Sequence, residues 1–266
     1  MPLIGLSMRP TILILIPARY GSSRYPGKPL AMIAGKSMIE WVYAHAAAVQ
    51  NAAWDVQVRV VTDDDRIATA VEKFGGKVCR VDDQVSTGTE RIYLAYQRYF
   101  ADTAKKAGDN KIALIVNLQG DEPLLTADDL KSLIEFGLTS RFPLATMVQK
   151  KEAGPEFYDI NRVKVIYSPL DGACHYFSRA AIPAVRDGQI DFWYLHVGVY
   201  AFRPEALEKF CSAPKSYYEE REKLEQLRAL ENGISIGAVN ITTPLHSVDC
   251  PADLAVVERS LSGTGK

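Results

Sequence analysis

The chain has few cysteines, four in 266 residues. Cys79, Cys174, Cys211 and Cys250 stand far apart, with no C-x-x-C and no tight Cys/His cluster. Neither a disulfide framework nor a zinc site is indicated, and a reducing cytoplasm is expected. An excess of either charge is also missing. Lys and Arg number 31 against 32 Asp and Glu, a formal net charge of -1, which gives no general attraction to nucleic acid or an anionic membrane. Any anion site must therefore be local. No G-x-G-x-x-G follows an apolar run, which argues against dinucleotide redox chemistry. Repeats of solenoid period and low-complexity segments are absent too. The apolar run within Met1 to Ile16 is only strand length, lacks a basic flank and is cut short by Pro17 and Arg19. It reads as a strand rather than a leader.

What remains is an ordinary globular composition, 47% hydrophobic and 24% charged, in a chain long enough to bury a large core as one domain. Residues 1–10 read as a flexible tail and 11–266 as a single domain. The continuous run Ile12 to Ile16 predicts a parallel strand buried on both faces. It hands over at Pro17 to a loop with two Gly, two Ser, Arg19, Arg24 and Lys28. Further strands are expected at Gln57–Val61, Lys77–Val81 and Ile112–Val116, alternating with helices at Met38–Gln50 (capped by Ser37), Arg66–Phe74, Arg91–Phe100 and Ala127–Phe136. This rhythm predicts an α/β fold, a mostly parallel twisted sheet with helices on both faces. Ligands in such sheets bind at the carboxyl ends of strands, near the switch in strand order.

From Asn161 to Arg203 the pattern turns β-like. It predicts an antiparallel excursion whose aromatics (Tyr167, Tyr176, Phe177, Phe192, Trp193, Tyr194) face a second subunit. A helix over Tyr217–Glu231, a strand over Ser235–Ile241 and a final helix after Asp249 complete the chain.

The first loop is not a Walker A. That motif needs four residues between its glycines and a hydroxyl after the Lys, whereas Gly21 and Gly27 are separated by five and Pro29 follows Lys28. The loop offers cations for phosphate, or merely solvated charges, but no metal-binding hydroxyl at that point. Asp121, just past an apolar strand, is either a turn residue or a Mg²⁺ ligand, and Asp249 is either an N-cap or a second ligand. Mg²⁺ typically takes only one or two protein carboxylates and fills its shell with water and phosphate oxygens, so two Asp are enough. His196 in its apolar strand reads as a core histidine or a ligand-facing one. Helical periodicity puts Glu225 opposite the Leu224, Leu227, Leu230 stripe, facing water or a pocket, with Gln226 and Arg228 on its flanks.

Taken together, several blocks resemble one family. They are IPARYGSSRYPGKPL at 16–30, TGTER at 87–91, NLQGDEP at 117–123, VKV at 163–165, YFSRAAIP at 176–183, LHVGVYAFR at 195–203, LEQLRAL at 224–230 and VDCPADL at 248–254. In this order and spacing they resemble the 3-deoxy-D-manno-octulosonate (Kdo) cytidylyltransferases. The resemblance implies a dimeric enzyme with a Rossmann-like nucleotidyltransferase fold that joins CTP to Kdo, giving CMP-Kdo and pyrophosphate for lipopolysaccharide assembly. It further implies catalytic roles for Arg24, Lys28, Asp121 and Asp249, with the two Asp carrying Mg²⁺. Arg19 would join the phosphate contacts, while Ala18, Thr87, Gly88, Thr89 and Arg91 would hold the nucleoside, with Gln119 beside it. Gln119, His196, Glu225 and Gln226 would line the sugar pocket, with Tyr200 and Arg179 nearby. The chain departs from the family at Leu195, where many relatives have Arg, and at Thr87, where Ser or Asn is commoner. A cytidylyltransferase for the 8-amino analogue of Kdo, or for another 2-keto sugar acid, is the alternative within enzymes. A non-catalytic CTP-binding protein is the alternative outside them.

Overall fold

The computed structural model describes residues 9–21, 25–49, 51–102, 111–248 and 250–263. The expected positions Arg24 and Asp249, and most of the expected tail, lie outside these.

The first apolar run forms β1 (Thr11–Pro17). Its alternate side chains feed two separate cores: Ile12, Ile14 and Ile16 pack on one face of the sheet, Leu13 and Leu15 on the other. After a 3-10 turn at Lys28–Leu30 come a small hairpin, β2 (Met32–Ile33) and β3 (Lys36–Ser37), and then α1 (Met38–Ala47). Ser37 occupies the N-cap of α1, but its side chain makes no capping bond. β4 (Asp55–Thr62), α2 (Asp65–Lys73), β5 (Val78–Arg80) and α3 (Gly88–Tyr99) follow. α3 starts three residues earlier than periodicity suggested, because the Thr87 hydroxyl caps it by accepting from Glu90 N. β6 (Ile112–Asn117) and α4 (Ala127–Thr139) complete the first half, with a Thr126/Asp129 capping box opening α4.

The second half contains β7 (Leu144–Glu152), β8 (Lys164–Tyr167), β9 (Ala173–Ser178), β10 (Phe192–Phe202), α5 (Pro204–Ser212), α6 (Tyr217–Glu222), α7 (Gln226–Glu231), β11 (Ile236–Asn240) and α8 (Leu254–Gly263). One nine-stranded sheet runs in the order β5-β4-β1-β6-β10-β7-β11-β9-β8. β1 is parallel to β4 and β6, and β7 to β11, while β10 and β9 run antiparallel to their neighbours. α1, α2 and α4 cover one face, and α3, α5 and α7 the other.

Strands from the 161–203 stretch enter this same sheet rather than standing apart from it. Its aromatics divide accordingly: Phe177 and Trp193 are buried within the chain, so they are core and not surface, whereas Phe192 is exposed. Lys164 lies fully buried in β8. Its ammonium donates to the carbonyls of Asp159, Arg162 and Arg179 at 2.6 to 2.9 Å, and burial lowers its pKa.

The expected single helix over Tyr217–Glu231 is two. Lys223 takes the left-handed conformation (φ 54°) and ends α6, and the chain turns before α7. Across the break, Arg228 clamps Glu219, donating through Nε at 2.7 Å and through Nη2, with both side chains buried. The guanidinium also stacks on Phe210. Arg228→Met strands a buried carboxylate, so urea titration should show a loss of about 3–5 kcal/mol, and adding Glu219→Leu should recover most of it.

Candidate active site

The strand order reverses between β1 and β6, because the chain steps outward to β4 and β5 and then returns to the other side of β1. The loops that follow these two strands open a crevice at their carboxyl ends. Ala18 N donates to Val61 O and Leu118 N to Leu15 O, which fixes the root of each loop. Gly27 is left-handed (φ 74°), and a Cβ there would sit 3.1 Å from the Tyr20 ring. Tyr20 is pinned in turn by the Arg66 guanidinium, 3.3 Å from its ring centroid. This loop therefore folds back on itself and carries Lys28 into the crevice.

A cavity of about 180 Å³ occupies the crevice. Among its lining residues are Ala18, Arg19, Lys28, Thr87, Gly88, Arg91, Gln119 and Asp121, eight of the positions expected to hold nucleotide or metal. The N-terminus of α3 contributes Gly88, and helix N-termini favour anions. Arg91 is buried and already committed, donating to Val81 O at 2.7 Å and to Asp63 at 2.9 Å. Lys28 Nζ lies 2.6 Å from Asp121 Oδ2 and 2.8 Å from Val248 O. Val248 N also donates to Asp121 O, which brings the segment just before residue 249 to the β6 loop. Among the described residues, no group of three His, Cys, Asp or Glu is placed to hold a metal ion.

Thr89 lies beneath the cavity rather than on its wall. Its hydroxyl donates to Glu225 Oε2 at 2.7 Å and accepts from Asn117 Nδ2 at 3.1 Å, and Gln119 Nε2 reaches Asn117 Oδ1 at 3.4 Å. Glu225 is thus not a solvent-facing helical residue. The break at Lys223 removes it from the helical register on which the periodicity rested and turns it toward α3. Gln226, next along, accepts from the Tyr200 hydroxyl at 3.2 Å, and its amide lies 3.5 Å from His196 Nδ1. His196 Nε2 lies 3.1 Å from Thr146 Oγ1, whose hydroxyl is also 2.8 Å from Val199 O. One consistent set of donors follows: Thr146 gives its proton to a carbonyl, His196 Nε2–H donates to Thr146, and Gln226 donates to Nδ1. The imidazole is neutral in this arrangement, and burial pushes its pKa down to about 3. Burial raises Tyr200 well above its ordinary value, with Glu225 adding to the effect.

Gln119 and Glu225 therefore belong to one polar chain, through Asn117 and Thr89, and His196, Tyr200 and Gln226 to a second, with no side-chain hydrogen bond between the two among the described residues. Arg179 joins neither. Its guanidinium donates to Glu222 O at 2.6 Å and Ile160 O at 2.9 Å, bracing the end of α6. Leu195 is buried against Phe157 and Trp193 and lines a second cavity of about 450 Å³ with Arg162, His196 and Ser247. Sequence reasoning missed Asn117, Thr146 and Asp63. The available signal was a polar residue within or closing an apolar strand, where an unpaired polar group would be costly.

Residues 13–236 match the family model described as cytidylyltransferase. A relative from Desulfatibacillum aliphaticivorans, named 3-deoxy-manno-octulosonate cytidylyltransferase, is 41% identical over 255 residues, 94% of this chain and 98% of its own. Another from Shewanella woodyi, named 8-amino-3,8-dideoxy-manno-octulosonate cytidylyltransferase, is 40% identical over 253 residues, again 94% of this chain and 98% of its own. A solved CMP:2-keto-3-deoxy-manno-octonic acid synthetase complexed with CTP superposes with a TM-score of 0.84 at 35% identity, covering 96% of this chain and 99% of that one.

The depressed His196 pKa has a definite sign. The unfolded imidazole, near 6.5, takes up a proton that the folded one refuses until about 3, so its contribution is complete above pH 6.5 and is lost as pH falls toward 3. Urea titrations across pH 7 to 3 should show a shallower decline for His196→Gln than for the unsubstituted protein.

Proposed function

Because the chain belongs to the cytidylyltransferase family, we propose that it transfers CMP from CTP to the anomeric hydroxyl of Kdo, releasing pyrophosphate. The observation that carries this reading is the junction of two half-sites. The crevice with Arg19, Lys28 and the α3 N-terminus is tied through the Thr89–Glu225 hydrogen bond to the segment carrying Glu225 and Gln226, which with Tyr200 and His196 would meet a hydroxylated acceptor.

In this reading the cationic loop and the helix N-terminus hold the triphosphate, and Ala18, Thr87 and Gly88 hold the nucleoside with Arg91 behind them. The chemistry is an in-line displacement: the anomeric oxygen forms a bond to the α-phosphorus while the bond from that phosphorus to the bridging β-phosphate oxygen breaks. Both reactants are anionic, so the work is alignment and charge neutralisation, with no protein nucleophile. Asp121 fits a Mg²⁺ ligand, because it presents a carboxylate to the cavity and already accepts from a cation, Lys28. Asp249 would be its partner. Bound there, Mg²⁺ would offset negative charge on the phosphates and acidify a coordinated hydroxyl. Gln119, Glu225, Gln226, Tyr200 and neutral His196 would orient the sugar, and Arg179 would brace that side.

A role in lipopolysaccharide biosynthesis, a cytoplasmic location and a homodimer accompany this reading. Exposed Tyr158, Ile160, Val185 and Phe192 offer apolar surface for the dimer. No helix among the described residues is long and apolar enough to cross a membrane. The 8-amino analogue of Kdo is the second reading, favoured by relatives such as that of S. woodyi.

Pyrophosphate release should occur with CTP, Mg²⁺ and Kdo and fall sharply with UTP. Preference for the amino analogue would select the second reading, and CTP binding without product would select a non-catalytic protein. Asp121→Asn should lower kcat by about 100-fold or more with an unchanged circular dichroism spectrum. Near-normal turnover at saturating Mg²⁺ would remove Asp121 from its assigned role.

A further inference from the structure

The contact between Lys28 and Asp121 bears on the order in which ligands enter. The ammonium sits on Asp121 Oδ2 at 2.6 Å and on the Val248 carbonyl at 2.8 Å, while Val248 N donates to the Asp121 carbonyl. One side chain thereby ties together the loop after β1, the loop after β6 and the segment that carries Val248. The carboxylate oxygen it covers is one of the two through which Asp121 would hold a divalent cation. Two cations crowded on one carboxylate repel each other strongly in a partly desolvated crevice. The pair is nevertheless reachable, with side-chain exposures of 15% for Lys28 and 32% for Asp121. Both line the same cavity as Arg19 and Gly88, so a triphosphate bound there would give Lys28 another anion to pair with.

We infer that Lys28 guards Asp121 in the nucleotide-free protein, so that the carboxylate opens to a divalent cation only after a triphosphate has drawn the ammonium away. This rests on the reading of Asp121 as a metal ligand. It makes CTP and the metal mutually dependent, each raising the affinity for the other, and keeps the empty site from loading with metal alone. Arg19 provides the contrast, because it lines the same cavity with the same charge and has no contact with Asp121 among the described residues.

The test titrates Mn²⁺, followed by the electron paramagnetic resonance signal of the free ion, into the protein with and without CTP and with no sugar present. The unsubstituted protein should gain tight Mn²⁺ binding only with CTP. Nucleotide-free Lys28→Met should bind Mn²⁺ about tenfold more tightly than the unsubstituted protein, the scale expected on removing a charge-assisted hydrogen bond, and Arg19→Met should stay at the unsubstituted value. Lys28→Gln repeats the measurement should the Met variant lose its native circular dichroism. Equal affinity in the Lys28 variants and the unsubstituted protein, or an equal rise in Arg19→Met, would overturn the guarding role. Adding Asp121→Asn to Lys28→Met should abolish the gain. If the gain persists, the metal assignment of Asp121 falls with the proposal, whereas a failure confined to the Lys28 comparison leaves that assignment standing.

Discussion

The parallel pairing of β1 with both β4 and β6 is the constraint from which the site follows. A chain that moves outward to β5 and returns beside β1 must leave β1 and β6 by loops that diverge, and the space between them has no regular structure to fill it. The first loop supplies cations, α3, which precedes β6 in the chain, supplies its N-terminus, and the loop after β6 supplies an amide and a carboxylate. These three sources are far apart in sequence. Lys28 and Asp121 are 93 positions apart, yet their side chains meet at 2.6 Å.

Much of the first half was legible because its signals are local. The unbroken run Ile12 to Ile16 could only be a strand covered on both faces, and it feeds both cores. The helix expected over Arg66–Phe74 is α2, and Asp64 caps it. The cations of the first loop could be read as an anion site without any knowledge of the rest. Resemblance to a family supplied what spacing alone could not, the pairing of that loop with NLQGDEP and the sugar-side residues.

The less legible parts depend on long-range contacts. Periodicity over Tyr217–Glu231 is continuous, and nothing local announces a left-handed Lys223. The break is accompanied by the clamp between Glu219 and Arg228, and it gives Glu225 its place beside Thr89. Arg179 was expected near the sugar because it stands in a matching block, and two of its five guanidinium N–H groups go to the carbonyls of Glu222 and Ile160. Phe177 and Trp193 looked like interface aromatics for a similar reason. A β-like stretch rich in aromatics has the same pattern whether it meets another subunit or completes its own sheet.

β10 bonds to β7 for most of its length, but on its other edge it pairs with β8 near Leu195 and with β6 from Tyr200 onward. The change of neighbour falls at the irregularity between Val197 and Tyr200, flanked by His196 and Tyr200. A single backbone is thus shared by the strands beside the crevice and those beside the His196–Gln226 cluster. Parting the first-half strands from the second-half strands would mean breaking the pairing of β6 with β10 at Tyr200, Ala201 and Phe202, because the β10–β7 ladder lies wholly within the second half. One strand, β10, therefore carries residues of both sides, Tyr200 and Phe202 beside β6 and Leu195 and His196 beside β7 and β8.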